Sequence, residues 1–228
     1  MSSSQKSFLF AFIMCLVCGF LLTAAAMGLK PIQDDNKKVD QQKNILKALA
    51  VIGSEEKVTK AIVKDLYNKN ISEMWLNQQG DLNQEKLNIE DLKIFILKEG
   101  NKVKSYAFPF KAYGLWSWMY GYFAIDSDGD TVKGFTVYQH AETPGLGGEC
   151  EKPWFQNQFI GKKITNKNNE FVSIGVVKGK VADKVKPEEQ MNYVDGMSGA
   201  TITSQGLEKY LKEDIQKYEV FSKKMRNL

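Results

Sequence analysis

Tyr120-Gly-Tyr-Phe-Ala-Ile-Asp-Ser-Asp-Gly-Asp-Thr-Val-Lys-Gly-Phe-Thr-Val-Tyr-Gln-His140 reads as two strands and the turn between them. Tyr120, Tyr122 and Ala124 alternate with Gly121, Phe123 and Ile125, the period-two spacing of a half-buried strand. Ser127-Asp128-Gly129-Asp130 follows, and the alternation resumes from Thr131 to His140. Asp-Gly between two such runs is a strong hairpin signal, so an antiparallel sheet is expected. Asp126, Asp128 and Asp130 invite a calcium-loop reading. The sixth and twelfth positions, where a Gly and a Glu belong, are Thr131 and Val137. The triplet therefore predicts a turn, and no metal site is expected.

Working outward, the strand pattern opens near Gly114, and Phe171 to Val177 gives another short strand ended by Lys178-Gly179. Leu207, Tyr210, Leu211, Ile215, Tyr218 and Phe221 share one face of a C-terminal helix. Gln41 to about Asn68 is helical in period, with Ile45, Leu46, Leu49 and Ile52 before a Gly53-Ser54 break and Val58, Ile62, Val63 and Leu66 after it. Residues 69–100 mix short apolar clusters with Asn, Gln and Asp and give no clear period. The expected class is α+β, with a mainly antiparallel sheet packed by helices.

A chain of 228 residues, 43% hydrophobic and 25% charged, fits one soluble domain plus appendages. The net charge of +4 is spread along the chain, and Arg226 is the single arginine. With no basic stripe, no nucleic-acid partner is expected. Cys15 and Cys18 form a C-x-x-C inside an apolar run, where a thiolate is disfavoured. Cys150 stands alone in the soluble part and has no partner within the chain.

Phe8 to Leu29 is 22 residues without a charge, bounded by Lys6 and Lys30. As a helix it reaches ~33 Å, enough for a hydrocarbon core of ~30 Å. Thr23-Ala-Ala-Ala26 would suit a signal peptidase, but a signal's apolar core is shorter, ~7–15 residues. A retained transmembrane helix is therefore expected over 8–29, after an N-terminal tail (1–7) and before a polar linker (30–43) and a soluble domain (44–228). Lys30, Lys37 and Lys38 lean weakly toward a cytoplasmic domain, a rule that loses force when a long domain follows. No charge lies inside the span, so it is not expected to carry ions.

Asp195-Gly-Met-Ser-Gly-Ala-Thr-Ile-Thr-Ser204 is a small-residue turn rich in hydroxyls that feeds the C-terminal helix from about Gln205. Gly199 and Ala200 permit close approach to the backbone. Free amides at a helix start suit an anion, so a phosphate beside Thr201 would be well placed. Thr203 or Ser204 would serve as N-cap. The same residues also suit a plain capped helix, as in an anchor or assembly protein.

Asp195-x-x-Ser198-Gly199-Ala200-Thr201 resembles the target motif of bacterial flavin transferases, which attach FMN to the final Thr through a phosphoester. Glu142-Thr-Pro-Gly-Leu-Gly-Gly-Glu149 resembles the companion motif of the FMN-binding domain family. Gly114-Leu-Trp-Ser-Trp-Met-Tyr120, Thr23-Ala-Ala-Ala-Met-Gly-Leu29 and Gln42-Lys-Asn-Ile-Leu46 resemble the C-subunit of the sodium-translocating NADH:quinone reductases. The likeness covers almost the whole chain and is weakest over 69–100. The G-subunit of the Rnf ferredoxin:NAD oxidoreductases shares the Thr201 motif and is the alternative.

The resemblance implies an electron-transfer subunit with FMN esterified to Thr201. Asp195, Ser198, Gly199 and Ala200 would be read by the transferase. Glu142, Thr143, Gly145 and Leu146 would cradle the ring, with Lys178 near the ring or ribityl chain and Trp116 beside it. No catalytic residue is expected, because an isolated Thr hydroxyl needs an external base, and His140 reads as a strand end. No Gly-rich dinucleotide fingerprint occurs, so NADH would be oxidised by another subunit. Other subunits of the complex, the transferase and the bacterial inner membrane are the implied partners. A permanent bond keeps the site filled where free FMN is scarce. That agrees with a flavin domain on the periplasmic side, as the family's topology has it.

Overall fold

The computed structural model describes residues 2–100 and 102–227. Met1 and Leu228, the outer ends of the expected tail and domain, lie outside the described residues, as does Asn101. The chain divides into two compact units, residues 1–40 and 41–228.

Helix α1 spans Ser3–Ala48. A capping box starts it: the Gln5 backbone N–H donates to Ser2 Oγ (3.3 Å) and the Ser2 N–H to Gln5 Oε1 (2.8 Å). Its apolar part has a mean hydropathy of 2.6 over 18 residues, long and apolar enough to cross a membrane. Residues 30–43, expected as a linker, are helical instead. Pro31 lies inside the helix, where it removes one intrahelical donor, and the Gln- and Lys-rich sequence after it is made of good helix formers.

In the second unit, helix α2 (Lys60–Asn70) begins on Thr59, whose Oγ1 accepts the Ile62 N–H. A six-stranded antiparallel sheet follows: β1 (Ile71–Leu76), β2 (Leu82–Asn83), β3 (Leu92–Glu99), β4 (Lys102–Tyr113), β5 (Trp118–Asp126) and β6 (Val132–Gln139). Its spatial order is β2-β1-β3-β4-β5-β6. The hairpin expected at Asp128-Gly129 joins β5 to β6, and Asp128 Oδ1 accepts the N–H groups of Asp130 and Thr131 (both 2.9 Å). Three further strands lie in the region that showed no period. Gly114–Ser117 proves to be the tight turn between β4 and β5, closed by a Gly114 N–H to Ser117 carbonyl bond of 2.9 Å.

β4 carries Pro109 near its centre, a residue that argues against a central strand. The register explains it. Pairing of β4 with β3 ends at Ala107, while pairing with β5 continues through Pro109 to Tyr113. Pro109 therefore sits where β4 has a strand on one side only.

The alternation read from the sequence separates the two faces of the sheet. Met119, Phe123 and Ile125 join Phe135 and Val137 in one core. Tyr122 meets Phe95 on the other face (centroids 5.6 Å), and Thr136 Oγ1 donates to the Asn44 carbonyl (3.4 Å). After β6 come α3 (Pro153–Gln156), β7 (Gly175–Val177), α4 (Val181–Lys184), β8 (Tyr193–Asp195), α5 (Thr201–Gln216) and α6 (Glu219–Met225). β7 and β8 form a separate parallel pair. The apolar stripe seals the first core: Phe108 stacks on Tyr218 (4.2 Å) and Tyr106 meets Phe221 edge-on (4.8 Å). Each such buried aromatic contributes about 1.5–3 kcal/mol.

Gly206 marks the contact that sets α5 against β4. A Cβ there would lie 2.0 Å from the Tyr113 carbonyl oxygen. Glycine inside a helix costs ~1 kcal/mol relative to Ala, so propensity alone favours replacement. Gly206→Ala is nevertheless expected to lower stability by about 1–3 kcal/mol through overpacking. Urea unfolding of the detergent-solubilised chain checks the sign.

Candidate functional site

Two loops leave the carboxyl ends of the parallel strands β7 and β8, the end at which open parallel sheets collect ligands. The first is Lys178-Gly179-Lys180, and the second runs from Gly196 into α5. They are held together by backbone. The Gly196 N–H donates to the Gly179 carbonyl (3.0 Å), and a Cβ on Gly196 would lie 2.2 Å from the Val177 oxygen. Asp195 anchors both: its Oδ1 accepts the Val181 N–H (2.7 Å), and its own N–H donates to Gln158 Oε1 (2.9 Å).

Between these loops, the first turns of α5 and the segment around Gly145 lies a cleft of about 750 Å³, within the ~300–1,000 Å³ range of small-molecule sites. Of the residues singled out in the sequence, Thr201, Ser198, Gly199, Asp195, Lys178 and Gly145 line it. Gly145, Gly179 and Gly199 have φ of 76°, 98° and 71°, conformations that favour glycine. Lys178 is exposed at the rim, and Ala200 is buried behind the turn.

α5 starts differently from expectation. Its N-cap is Ala200, with no side-chain hydrogen bond. Thr203 and Ser204, expected as caps, lie inside the first turn and are buried, at 2% and 4% exposure. Their hydroxyls are engaged elsewhere, Thr203 Oγ1 donating to Glu142 Oε2 (2.7 Å) and Ser204 Oγ accepting the Met197 N–H (3.4 Å). The first intrahelical bond runs from the Ser204 N–H to the Ala200 carbonyl (2.9 Å). The helix thus starts with amides that no side chain caps, beside the Thr201 hydroxyl. That is an anion-favouring end.

Glu142 does not line the cleft. It is 5% exposed, and its carboxylate accepts the backbone N–H groups of Leu115 (3.2 Å), Trp116 (2.9 Å) and Ser117 (3.1 Å) besides the Thr203 hydroxyl. Room for it comes from Gly114 and Gly147, where a Cβ would fall 2.6 Å from its oxygens. Burial pushes its pKa up, but Thr203 and the three amides outweigh this and hold the carboxyl below the usual glutamate range. Glu142 therefore ties the β4–β5 turn to α5. Trp116 joins through its amide while its ring is 65% exposed. The Thr143 carbonyl accepts the N–H groups of Leu146 (3.1 Å) and Gly148 (3.0 Å), and Leu146 lies over Gly199.

Sequence reasoning missed Trp154 and Glu208 among the cleft residues. The Trp154 indole donates to Glu149 Oε2 (2.6 Å), which fixes an aromatic wall. Glu208 follows Thr201 by seven residues, a same-face spacing legible in the sequence. Its carboxyl accepts the Val176 backbone N–H, and burial raises its pKa against that bond and the nearby Lys212. Cys150 is fully buried, with its thiol pushed up to about 12, so it has no reactive thiolate. His140 accepts the Glu142 N–H at Nδ1 (3.1 Å) and approaches Glu151 at Nε2 (3.3 Å). It supports the Glu142 loop and stands outside the cleft.

Residues 114–216 match the family described as FMN-binding domain. The C-subunit of the Na(+)-translocating NADH-quinone reductase of Yersinia pestis is 32% identical over 235 residues, covering 90% of this chain and 86% of the relative. Its Haemophilus ducreyi counterpart is 32% identical over 88% of this chain and 85% of its own length. Among solved structures, the same protein from Parabacteroides distasonis superposes with a TM-score of 0.72 at 30% identity, over 85% of this chain and 96% of that one. NqrC of Shewanella oneidensis gives 0.69 at 26% identity, over 85% and 100%.

Proposed function

The chain belongs to the family of the Na(+)-translocating NADH-quinone reductase C-subunit, and from that premise we propose that it is an electron-carrying subunit holding FMN as a phosphoester on Thr201. The observation that carries the reading is the uncapped start of α5, which places the Thr201 hydroxyl and free amides together in a cleft of about 750 Å³. These residues fit a phosphate monoester with a polyol chain. The α5 amides and helix dipole favour the anion, while Gly145 and Gly179, where even a Cβ would meet nothing within 4 Å, let a ligand approach the backbone closely.

When bound, FMN supplies reversible one- and two-electron chemistry. The chain's own residues hold and tune it. Thr201 tethers the phosphate, Lys178 supplies positive charge at the rim, and Trp154 forms an aromatic wall. Asp195 stands in the cleft wall and fixes the two loops, and Glu142, outside the cleft, fixes the helix start. A flavin transferase makes the ester, since an isolated Thr hydroxyl needs a base and His140, the single histidine, is engaged with Glu142 and Glu151 outside the cleft.

The first helix crosses the bacterial inner membrane once, and the flavin domain faces the periplasm, where a permanent bond keeps the site filled. NADH oxidation and sodium movement belong to other subunits of the complex. Peptide mapping of chain matured with its transferase tests the reading. The expected result is that the peptide containing Thr201 carries the mass of FMN less one water. Recovery of that peptide unmodified, with all flavin released on denaturation, would overturn it.

A further inference from the structure

A second cleft, of about 350 Å³, adjoins the first, and Glu208 belongs to both. Its carboxyl packs beside Gly175, where a Cβ would lie 3.3 Å from Glu208 Oε1 and 2.4 Å from the Tyr193 ring. Seven residues of helix bring Glu208 back to the face of Thr201, ~10 Å further along. Ser173 lines the second cleft with φ of 68°, and its buried hydroxyl has no hydrogen-bond partner among the described residues. A buried hydroxyl of that kind calls for a water partner, and the second cleft, of about 350 Å³, has room for one beside Glu208.

Resting on the reading of Thr201 as the carrier of FMN, we propose that Glu208 sets the cofactor's potential by binding a proton, drawn through the second cleft, when negative charge arrives in the first. An electron delivered by the reductase complex adds one negative charge to the first cleft. The Glu208 carboxylate and one proton from water give the neutral acid. When the electron leaves to the next centre, the acid returns its proton to water. Glu208 acts through the field it places on the cofactor and makes no bond to it.

Burial already disposes this carboxyl toward its neutral form. The charged groups that face it are Lys212 on its own helix, Glu189 and Tyr193 across the second cleft, and Lys178, Lys180, Asp195 and Glu149 around the first. Lys212 favours the ionised form, so removing it makes the carboxyl harder to ionise.

The test is a spectroelectrochemical titration of the matured full chain in detergent across a range of pH. Wild type is expected to show a midpoint that falls with rising pH and levels off once Glu208 stays ionised in both redox states. Glu208→Gln keeps the size and the acceptor for Val176, and should remove that break. Lys212→Met should move it to higher pH, and Glu189→Gln should leave it in place. A wild-type profile in Glu208→Gln overturns the proposal, as does loss of the break in Glu189→Gln. An unmoved break in Lys212→Met counts against it even if Glu208→Gln fails to fold. Absence of covalent flavin, visible on a gel before any titration, would instead defeat the Thr201 reading.

Discussion

Thr201→Ala is expected to abolish covalent flavin completely in chain matured with a flavin transferase, so that the fluorescent band on a denaturing gel disappears. The hydroxyl is the one atom group the ester requires, and alanine removes it while leaving the helix start intact. Thr201 is the first residue of α5 and is half-buried, and Ala is the best helix former. The unfolding free energy should therefore stay within about 0.5 kcal/mol of wild type. Thr203→Ala provides the contrast. It deletes a buried hydroxyl donor to Glu142, which costs about 1.5–3 kcal/mol for a bond to a charged group, yet it should keep the band. The two variants thus separate the flavin from the fold. A band that survives in Thr201→Ala and vanishes in Thr203→Ala would move the attachment site by two residues.

Glu142→Ala should have the largest effect on stability, about 3–5 kcal/mol, because it strips the acceptor from a buried hydroxyl and three backbone amides at once. Against a total of about 5–15 kcal/mol for a typical domain, that is enough to open the turn at 114–117 and loosen the start of α5. The same bonds give a pH signature. The folded pKa of Glu142 is held below its unfolded value, so its stabilisation is fully present above the unfolded value of about 4.3. It is lost as the pH falls from there through the lower folded value. Chemical denaturation across that acid window should show wild type losing stability, while a folded remnant of Glu142→Ala loses less. Equal acid sensitivity in both would show that other carboxylates set the acid limit.

The legibility of the sequence varied with the kind of contact. The β5–β6 hairpin could be read because Asp128-Gly129 punctuates two clean alternations, and the stripe from Leu207 to Ile215 because a helix repeats every 3.6 residues; the single helix expected through Phe221 instead breaks after Gln216, leaving Tyr218 in the break and Phe221 on α6. β4 could not, since Pro109 contradicts a central strand until the register shows that β3 stops pairing at Ala107. β1 and β3 hide among the Asn, Gln and Asp residues of 69–100. At the site, Thr201, Ser198, Gly199, Asp195, Lys178 and Gly145 were all brought to one cleft. Glu142 was expected at the ring; it does not line the cleft, and its carboxylate is taken up by the amides of 115–117 and the Thr203 hydroxyl. A motif reports that a carboxylate is needed and leaves open which way it faces. Trp154 and Glu208 lie outside the motifs; Glu208 shares a helix face with Thr201, while Trp154 reaches the cleft only through long-range folding.

The missing cap on α5 bears on the order of assembly. A helix whose opening amides lack a side-chain acceptor frays most readily at that end, and here that end carries Thr201, the proposed attachment residue. Fraying would present Thr201 to an incoming enzyme as a pliable segment. The phosphate, once esterified, would supply the acceptor that the polypeptide omits. On this reading the newly made chain is left unfinished at one helical turn, and its cofactor doubles as the final piece of its architecture.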